Sequence, residues 1–62
     1  MDIATCEKIM DLISYLLERS IVPVSDKVER ATYILSYNLA ADCWENLTGR
    51  MWVKRFDPIV LD

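Results

Sequence analysis

A stretch of twenty residues without glycine or proline, from Val28 to Leu47, constrains the fold of this chain more than any other feature. Projected at about 100° per residue, it predicts one long helix with two apolar stripes. The broad stripe contains Tyr33, Ile34, Tyr37, Ala40, Ala41, Trp44 and Leu47. The narrow stripe, on roughly the opposite side, contains Val28, Leu35, Leu39 and Cys43. Since a surface helix needs one apolar face, this pattern indicates a helix that is both core and interface.

A second amphipathic pattern precedes this helix. Apolar side chains recur every three or four residues and predict a helix from Ile3 to Arg19. Its start lies between Asp2 and Thr5, both of which are able to cap a helix. The connection that follows contains Pro23, which disfavours helical geometry in the residue before it, so the first helix is not expected to continue through this connection.

The ends of the central helix carry their own signals. Asp26 and Glu29 have the spacing of a capping box, so we predict a helix from about residue 26 to residue 47. Gly49 is suited to a left-handed cap at its end. Because the connection between the two helices is short, it favours an antiparallel hairpin.

The remaining residues allow two interpretations. One is a third, short helix from about Arg50 to Arg55 that stops before Pro58, and this is the interpretation that we favour. The other is an extended segment with Trp52 and Phe56 on one side. The apolar tail Ile59 to Leu61 is expected to dock on the helices or on a partner.

These elements predict a single small all-α domain, residues 1–62, built as a helical hairpin with a short C-terminal element. A chain of 62 residues with 53% hydrophobic residues is marginal as a monomer, because small domains bury only about 60% of their unfolded surface. We therefore expect a homodimer whose contact includes one face of the central helix. The layout resembles small four-helix-bundle dimers of the Rop type, a resemblance of architecture that implies no function.

The N-terminal sequence favours a cytoplasmic location. It begins with Asp2 instead of a basic region, and Glu7, Lys8 and Asp11 interrupt the apolar pattern, unlike a secretory signal. No run of apolar residues is long enough to span a membrane. In a cytoplasm we expect the two cysteines, at positions 6 and 43, to be reduced and buried.

Enzymatic chemistry finds no support in the residue types present. The chain contains no histidine and only one glycine, which argues against the commonest general base, most transition-metal sites and glycine-rich phosphate loops. Two cysteines without histidine do not make a zinc site. We therefore expect no catalytic residues, no metal and no cofactor.

Protein binding is the function that the pattern favours. Large aromatic rings suit the core of a small protein as well as an interface, and the sequence does not decide between the two uses. In a protein-binding role, aromatic anchors would meet the partner and acidic residues would fix register. These candidate partner-binding residues are Tyr33, Tyr37, Asp42, Trp44, Glu45, Trp52 and Phe56. We predict a small inhibitor, adaptor or antitoxin-like regulator that covers a partner surface, of a size and acidity that would suit a phage or mobile-element accessory protein.

The alternative is a dimeric regulator that binds nucleic acid. Its contacts would come from Arg50, Lys54 and Arg55, with bases stacked on Trp52. The net charge of −3 and the absence of Lys and Arg between Arg30 and Leu47 argue against this alternative.

Overall fold

The computed structural model describes residues 1–53 and 56–60. Helix α1 spans Ile3–Glu18 and helix α2 spans Lys27–Thr48. The two helices pack against each other as an antiparallel hairpin, and the described residues contain no strand. The predicted all-α hairpin is therefore confirmed, with both helices within about a residue of their expected bounds.

Both helices begin at an aspartate whose side chain replaces a missing backbone partner. Asp2 accepts a hydrogen bond from the Thr5 N–H at 2.8 Å, and Asp26 accepts one from the Glu29 N–H at 3.2 Å. The hydrogen bonds from Thr5 hold the pKa of the Asp2 carboxyl below its usual range. The start of α1, which the sequence left open, is thus fixed at Asp2.

Helix α2 ends in a left-handed residue, as its sequence predicts. Gly49 has φ 70°, and its N–H donates to the Glu45 carbonyl at 2.8 Å. A side chain rarely adopts this conformation, whereas glycine does so without steric cost. The chain therefore reverses direction sharply after α2.

The core lies between the inner sides of the two helices. It consists of Cys6, Met10, Ile13 and Leu17 from α1, Val22 from the connection, and Ile34, Tyr37, Ala40, Ala41 and Trp44 from α2. The two alanines let α1 approach α2 closely, while Tyr37 and Trp44 fill the remaining width. In the connection only Val22 is buried. Ile21 and Val24, which we expected to tuck against the helix ends, are exposed.

The residues after Arg50 do not form the short helix that we favoured. Residues 51–53 and 56–60, here called the C-terminal segment, have no regular secondary structure, so the helical interpretation is wrong for its described part. Lys54, Arg55 and Leu61 lie outside the described residues. Trp52, Phe56 and Ile59 pack on the core, as the extended interpretation allows. The C-terminal segment is therefore held by its contacts with α2 and not by the backbone hydrogen bonds of a helix.

The narrow stripe of α2 stays largely uncovered. Val28, Leu35 and Leu39, here called the outer stripe, are 65%, 59% and 60% exposed, whereas Cys43 is half-buried. Trp52 and Phe56 of the C-terminal segment pack on the aromatic side of α2, whereas Pro58 and Ile59 line a groove of about 310 Å³ beside Leu35. Over residues 1–53 and 56–60, neither helix combines the length and the apolar character needed to cross a membrane.

Candidate protein-interaction surface

Four of the candidate partner-binding aromatic side chains form one cluster inside the molecule. Tyr37 and Phe56 meet edge to face with ring centroids 5.3 Å apart. Trp44 and Trp52 meet in the same way at 4.9 Å. These four side chains, here called the aromatic cluster, therefore join α2 to the C-terminal segment.

Hydrogen bonds hold the polar atoms of this cluster. The Trp52 indole N–H donates to the Tyr37 hydroxyl at 2.9 Å, and the Trp52 backbone N–H donates to the Glu45 carboxylate at 2.9 Å. From α1, the Glu7 carboxylate accepts a hydrogen bond from the Trp44 indole at 3.2 Å. Both indole N–H groups thus have partners, which is what burial of a tryptophan requires.

The aromatic cluster is consequently part of the fold. Tyr37 is 1% exposed and Trp44 is 8% exposed, while Trp52 and Phe56 are half-buried. With the C-terminal segment in place, Tyr37 and Trp44 offer no surface to a partner. The sequence placed them correctly on one face of the helix, but it does not reveal which residues cover that face.

Tyr33, another candidate aromatic residue, has a different position. It is half-buried and lines an open groove of about 580 Å³ at the start of α2. The residues that line this acidic groove are Asp26, Val28, Glu29, Thr32, Tyr33 and Ser36. Here an aromatic ring lies beside two carboxylates at the surface of the molecule.

The hydrogen-bonding atoms of the acidic groove are mainly acceptors. The Thr32 hydroxyl donates to the Val28 carbonyl at 3.0 Å, and the Ser36 hydroxyl donates to the Thr32 carbonyl at 3.0 Å. Each hydroxyl oxygen therefore still has lone pairs to offer. The Asp26 carboxylate accepts a hydrogen bond from the Glu29 N–H and can accept hydrogen bonds from further donors. The groove is suited to a positively charged group that donates several hydrogen bonds.

Asp42 and Glu45, the two acidic residues among the candidate partner-binding residues, lie further along α2. Glu45 is half-buried and binds the Trp52 backbone, so its position serves the C-terminal segment. Asp42 is exposed. Neither residue lines the acidic groove, so the structure does not bring all the candidate partner-binding residues together.

Of the three basic residues on which the nucleic-acid alternative depends, the structure describes Arg50. The guanidinium of Arg50 lies 5.9 Å from the centre of the Trp44 ring, a cation–π distance. Lys54 and Arg55 lie outside the described residues. Arg50 therefore has a contact within the fold, at the end of α2.

The two cysteines are free thiols on facing helices. Burial and the neighbouring thiol of Cys43 raise the pKa of Cys6 above its ordinary value. A buried thiol with a raised pKa is a poor nucleophile and a poor metal ligand. The described residues also contain no group of three or more cysteine or acidic side chains able to hold a metal ion.

Comparison of the chain with protein-family models, with curated proteins and with solved structures finds no match.

Proposed function

We propose that this chain is a small non-enzymatic cytoplasmic protein that binds another protein and covers the surface that it binds. It would act as an inhibitor, an adaptor or an antitoxin-like regulator. The observation that supports this proposal is the acidic groove, which the candidate anchor Tyr33 lines together with Asp26 and Glu29. The partner expected there is a protein that presents a lysine or arginine side chain.

The chemistry of the groove supports a basic partner. A lysine or arginine cation would lie against the Tyr33 ring and donate hydrogen bonds to the two carboxylates. The net charge of −3 would attract such a surface at long range, and the exposed Val28 would add apolar contact.

The groove is tested by two substitutions that change charge equally. Glu29→Lys places a cation in the groove, whereas Asp11→Lys makes the same change at an exposed site on α1. Tagged versions of both, and of the unchanged chain, would be used to capture proteins from a cell extract. We expect Glu29→Lys to reduce recovery of the captured protein at least about tenfold, and Asp11→Lys to leave it nearly unchanged.

A second pair of variants tests the aromatic ring. Tyr33→Ala removes the ring that lines the groove, and Tyr15→Ala removes an exposed ring on α1. Circular dichroism would first establish that every variant is helical. Equal loss of binding in both members of a pair would contradict the role of the acidic groove.

The nucleic-acid alternative predicts a different result. Gel shifts across salt concentrations would show steeply salt-dependent binding that disappears in the Lys54→Ala/Arg55→Ala double variant. That outcome, together with no captured protein, would overturn the protein-binding proposal.

A further inference from the structure

The two cysteines of the chain meet where α1 begins and α2 nears its end. Cys6 is fully buried between the helices, while Cys43 is half-buried and packs against the core. Burial, followed by a side-chain hydrogen bond to Cys43, raises the pKa of Cys6, so the two sulfurs lie within hydrogen-bonding reach of each other. The function proposed above makes no use of this pair, since neither cysteine lines the acidic groove.

A second contact shows that the same turns of the two helices face each other. Glu7, the residue after Cys6, accepts a hydrogen bond at 3.2 Å from the indole of Trp44, the residue after Cys43. Ala41 is fully buried nearby and lets the helices approach closely. Helices packed about 8–10 Å apart bring facing Cα atoms within about 5 Å, since each Cα lies about 2.3 Å from its helix axis. A disulfide needs Cα atoms about 4.4–6.8 Å apart, so this register is compatible with one.

We propose that Cys6 and Cys43 form a reversible oxidation site, at which a small peroxide converts the two facing thiols into a disulfide between α1 and α2. The bond lies at the end of the hairpin away from the connection that joins the helices. In a cytoplasm the reduced pair is the resting state, because cellular reductants keep thiols reduced. Disulfides that do form there are usually transient and respond to oxidants.

Cys43 is the thiol that reacts first with the peroxide. It is half-buried, whereas Cys6 is fully buried and therefore a poor nucleophile. The Cys43 thiolate attacks one peroxide oxygen, so that an S–O bond forms and the O–O bond breaks. The departing hydroxide takes up the proton that the thiol released and leaves as water. The Cys43 sulfur has then lost two electrons to the peroxide and is a sulfenic acid.

Cys6 completes the reaction because its sulfur already lies beside that of Cys43. It attacks the sulfenic sulfur, so that the S–S bond forms and the S–O bond breaks. The hydroxyl group leaves with the Cys6 proton as a second water. One peroxide thus converts two thiols into one disulfide and two waters. A dithiol reverses the change by thiol–disulfide exchange and is itself oxidised to a disulfide.

The disulfide is expected to act on the stability of the fold. It closes a loop of about 37 residues, which in the chain-entropy model raises the folding equilibrium constant about a hundredfold or more. A domain of this size is marginal alone, and small domains often depend on cross-links for that reason. Oxidation therefore changes a marginal hairpin into one that is held at both ends.

Intact mass after oxidation tests the bond. The full chain is reduced with dithiothreitol, freed of it and treated with one equivalent of hydrogen peroxide, and any remaining thiols are alkylated after unfolding. We expect a monomer without free thiols whose mass is lower by two hydrogen atoms, and dithiothreitol should restore the original mass.

Two variants test the order of the steps. In Cys6→Ala the reaction should stop at the sulfenic acid of Cys43, which dimedone traps. In Cys43→Ala the buried Cys6 should react at least about tenfold more slowly. Both variants keep the three methionines, so they also show any effect of methionine oxidation.

Thermal unfolding followed by circular dichroism tests the consequence. The oxidised form of the unchanged chain should have a Tm at least about 10 °C above that of the reduced form. The two forms share one sequence, so this comparison does not depend on how well a variant folds. In Cys6→Ala and Cys43→Ala the same treatment should leave the Tm nearly unchanged.

Three results would overturn the proposal: disulfides only between chains, equally fast oxidation of Cys6→Ala and Cys43→Ala, or the same Tm for the oxidised and reduced forms. These results are separate from those for the acidic groove. Capture of a partner with dithiothreitol present keeps both thiols reduced, while Glu29→Lys and Tyr33→Ala leave both cysteines in place.

Discussion

Both the inner and the outer side of α2 carry large apolar side chains, but the rest of the chain covers mainly those on the inner side. Tyr37, Ala41 and Trp44 on the inner side are at most 8% exposed, whereas Leu35 and Leu39 on the outer side are about 60% exposed. A chain of this length offers α2 only one other helix and a short segment. Both pack on the inner side, where the larger aromatic side chains bury more area.

This difference shows that apolar periodicity locates a face without telling whether the chain covers it. On the inner side, each polar atom of the aromatic cluster has a partner, such as Glu7 for Trp44 and Tyr37 for Trp52. The outer stripe, Val28, Leu35 and Leu39, consists of aliphatic side chains that need no such partners. The inner side is thus built for burial within the chain, whereas the outer stripe stays largely exposed.

The largest expected effect separates the two sides by stability. Trp44→Ala should cost about 3–5 kcal/mol, because it removes a buried ring, and a domain of this size has only a few kcal/mol of stability. Leu39→Ala should cost less than about 0.5 kcal/mol, because that side chain is already 60% exposed. Urea unfolding followed by circular dichroism measures both. Similar costs would mean that the two sides of α2 are equally buried.

A smaller effect is expected where the chain turns back over the inner side. Gly49→Ala should cost about 1–2 kcal/mol, because a side chain is strained at positive φ. A Cβ at this position would meet nothing within 4 Å, so the cost would come from the backbone alone. Gly49→Asn is the control and should cost less, since asparagine tolerates this conformation. Equal costs for both variants would argue against this explanation.

The hydrogen bond between Trp52 and the inner side gives the next effect. Tyr37→Phe removes the hydroxyl that accepts the Trp52 indole N–H and should cost about 0.5–1.5 kcal/mol. Tyr33→Phe, in the acidic groove, should cost almost nothing in stability. Urea unfolding of the two variants compares them directly. A larger cost for Tyr33→Phe would contradict the conclusion that the Tyr37 hydroxyl, and not that of Tyr33, supports the C-terminal segment.

The smallest effect concerns pH. Because the folded pKa of Cys6 lies above the ordinary value of 9.0, folded protein keeps this proton longer than unfolded protein does. The stabilisation is complete below the unfolded pKa and decreases as pH rises from there through the folded pKa. Urea midpoints between about pH 7 and pH 10 should therefore fall more in the unchanged chain than in Cys6→Ala. An identical fall in both proteins would refute the shift, since other titrating groups are common to both.

Local signals in the sequence predicted most of the hairpin. The caps Asp26 and Gly49 act through atoms of their own neighbourhood, so their residue types are sufficient to place the ends of α2. The apolar periodicity of α1 was equally informative, because α1 buries a single stripe that contains Cys6, Met10, Ile13 and Leu17. Boundaries of this kind depend on few distant contacts.

The C-terminal segment and the candidate partner site depended on distant contacts. The side chains of Trp52 and Phe56 are four residues apart, a spacing that suits a helix as well as an extended chain. Their actual partners, Glu45 and Tyr37, lie on another element, and no local pattern names them. For the same reason the sequence identified Tyr37 and Trp44 as large amphipathic rings but did not show that they are internal.

The contact between Trp44 and Trp52 has a spectroscopic consequence. These are the two tryptophans of the chain, and their ring centroids lie 4.9 Å apart. All of the indole emission therefore originates at the place where residue 52 rests on α2. Fluorescence of the unlabelled protein therefore reports on the contact between the C-terminal segment and α2, which circular dichroism of the helices does not measure.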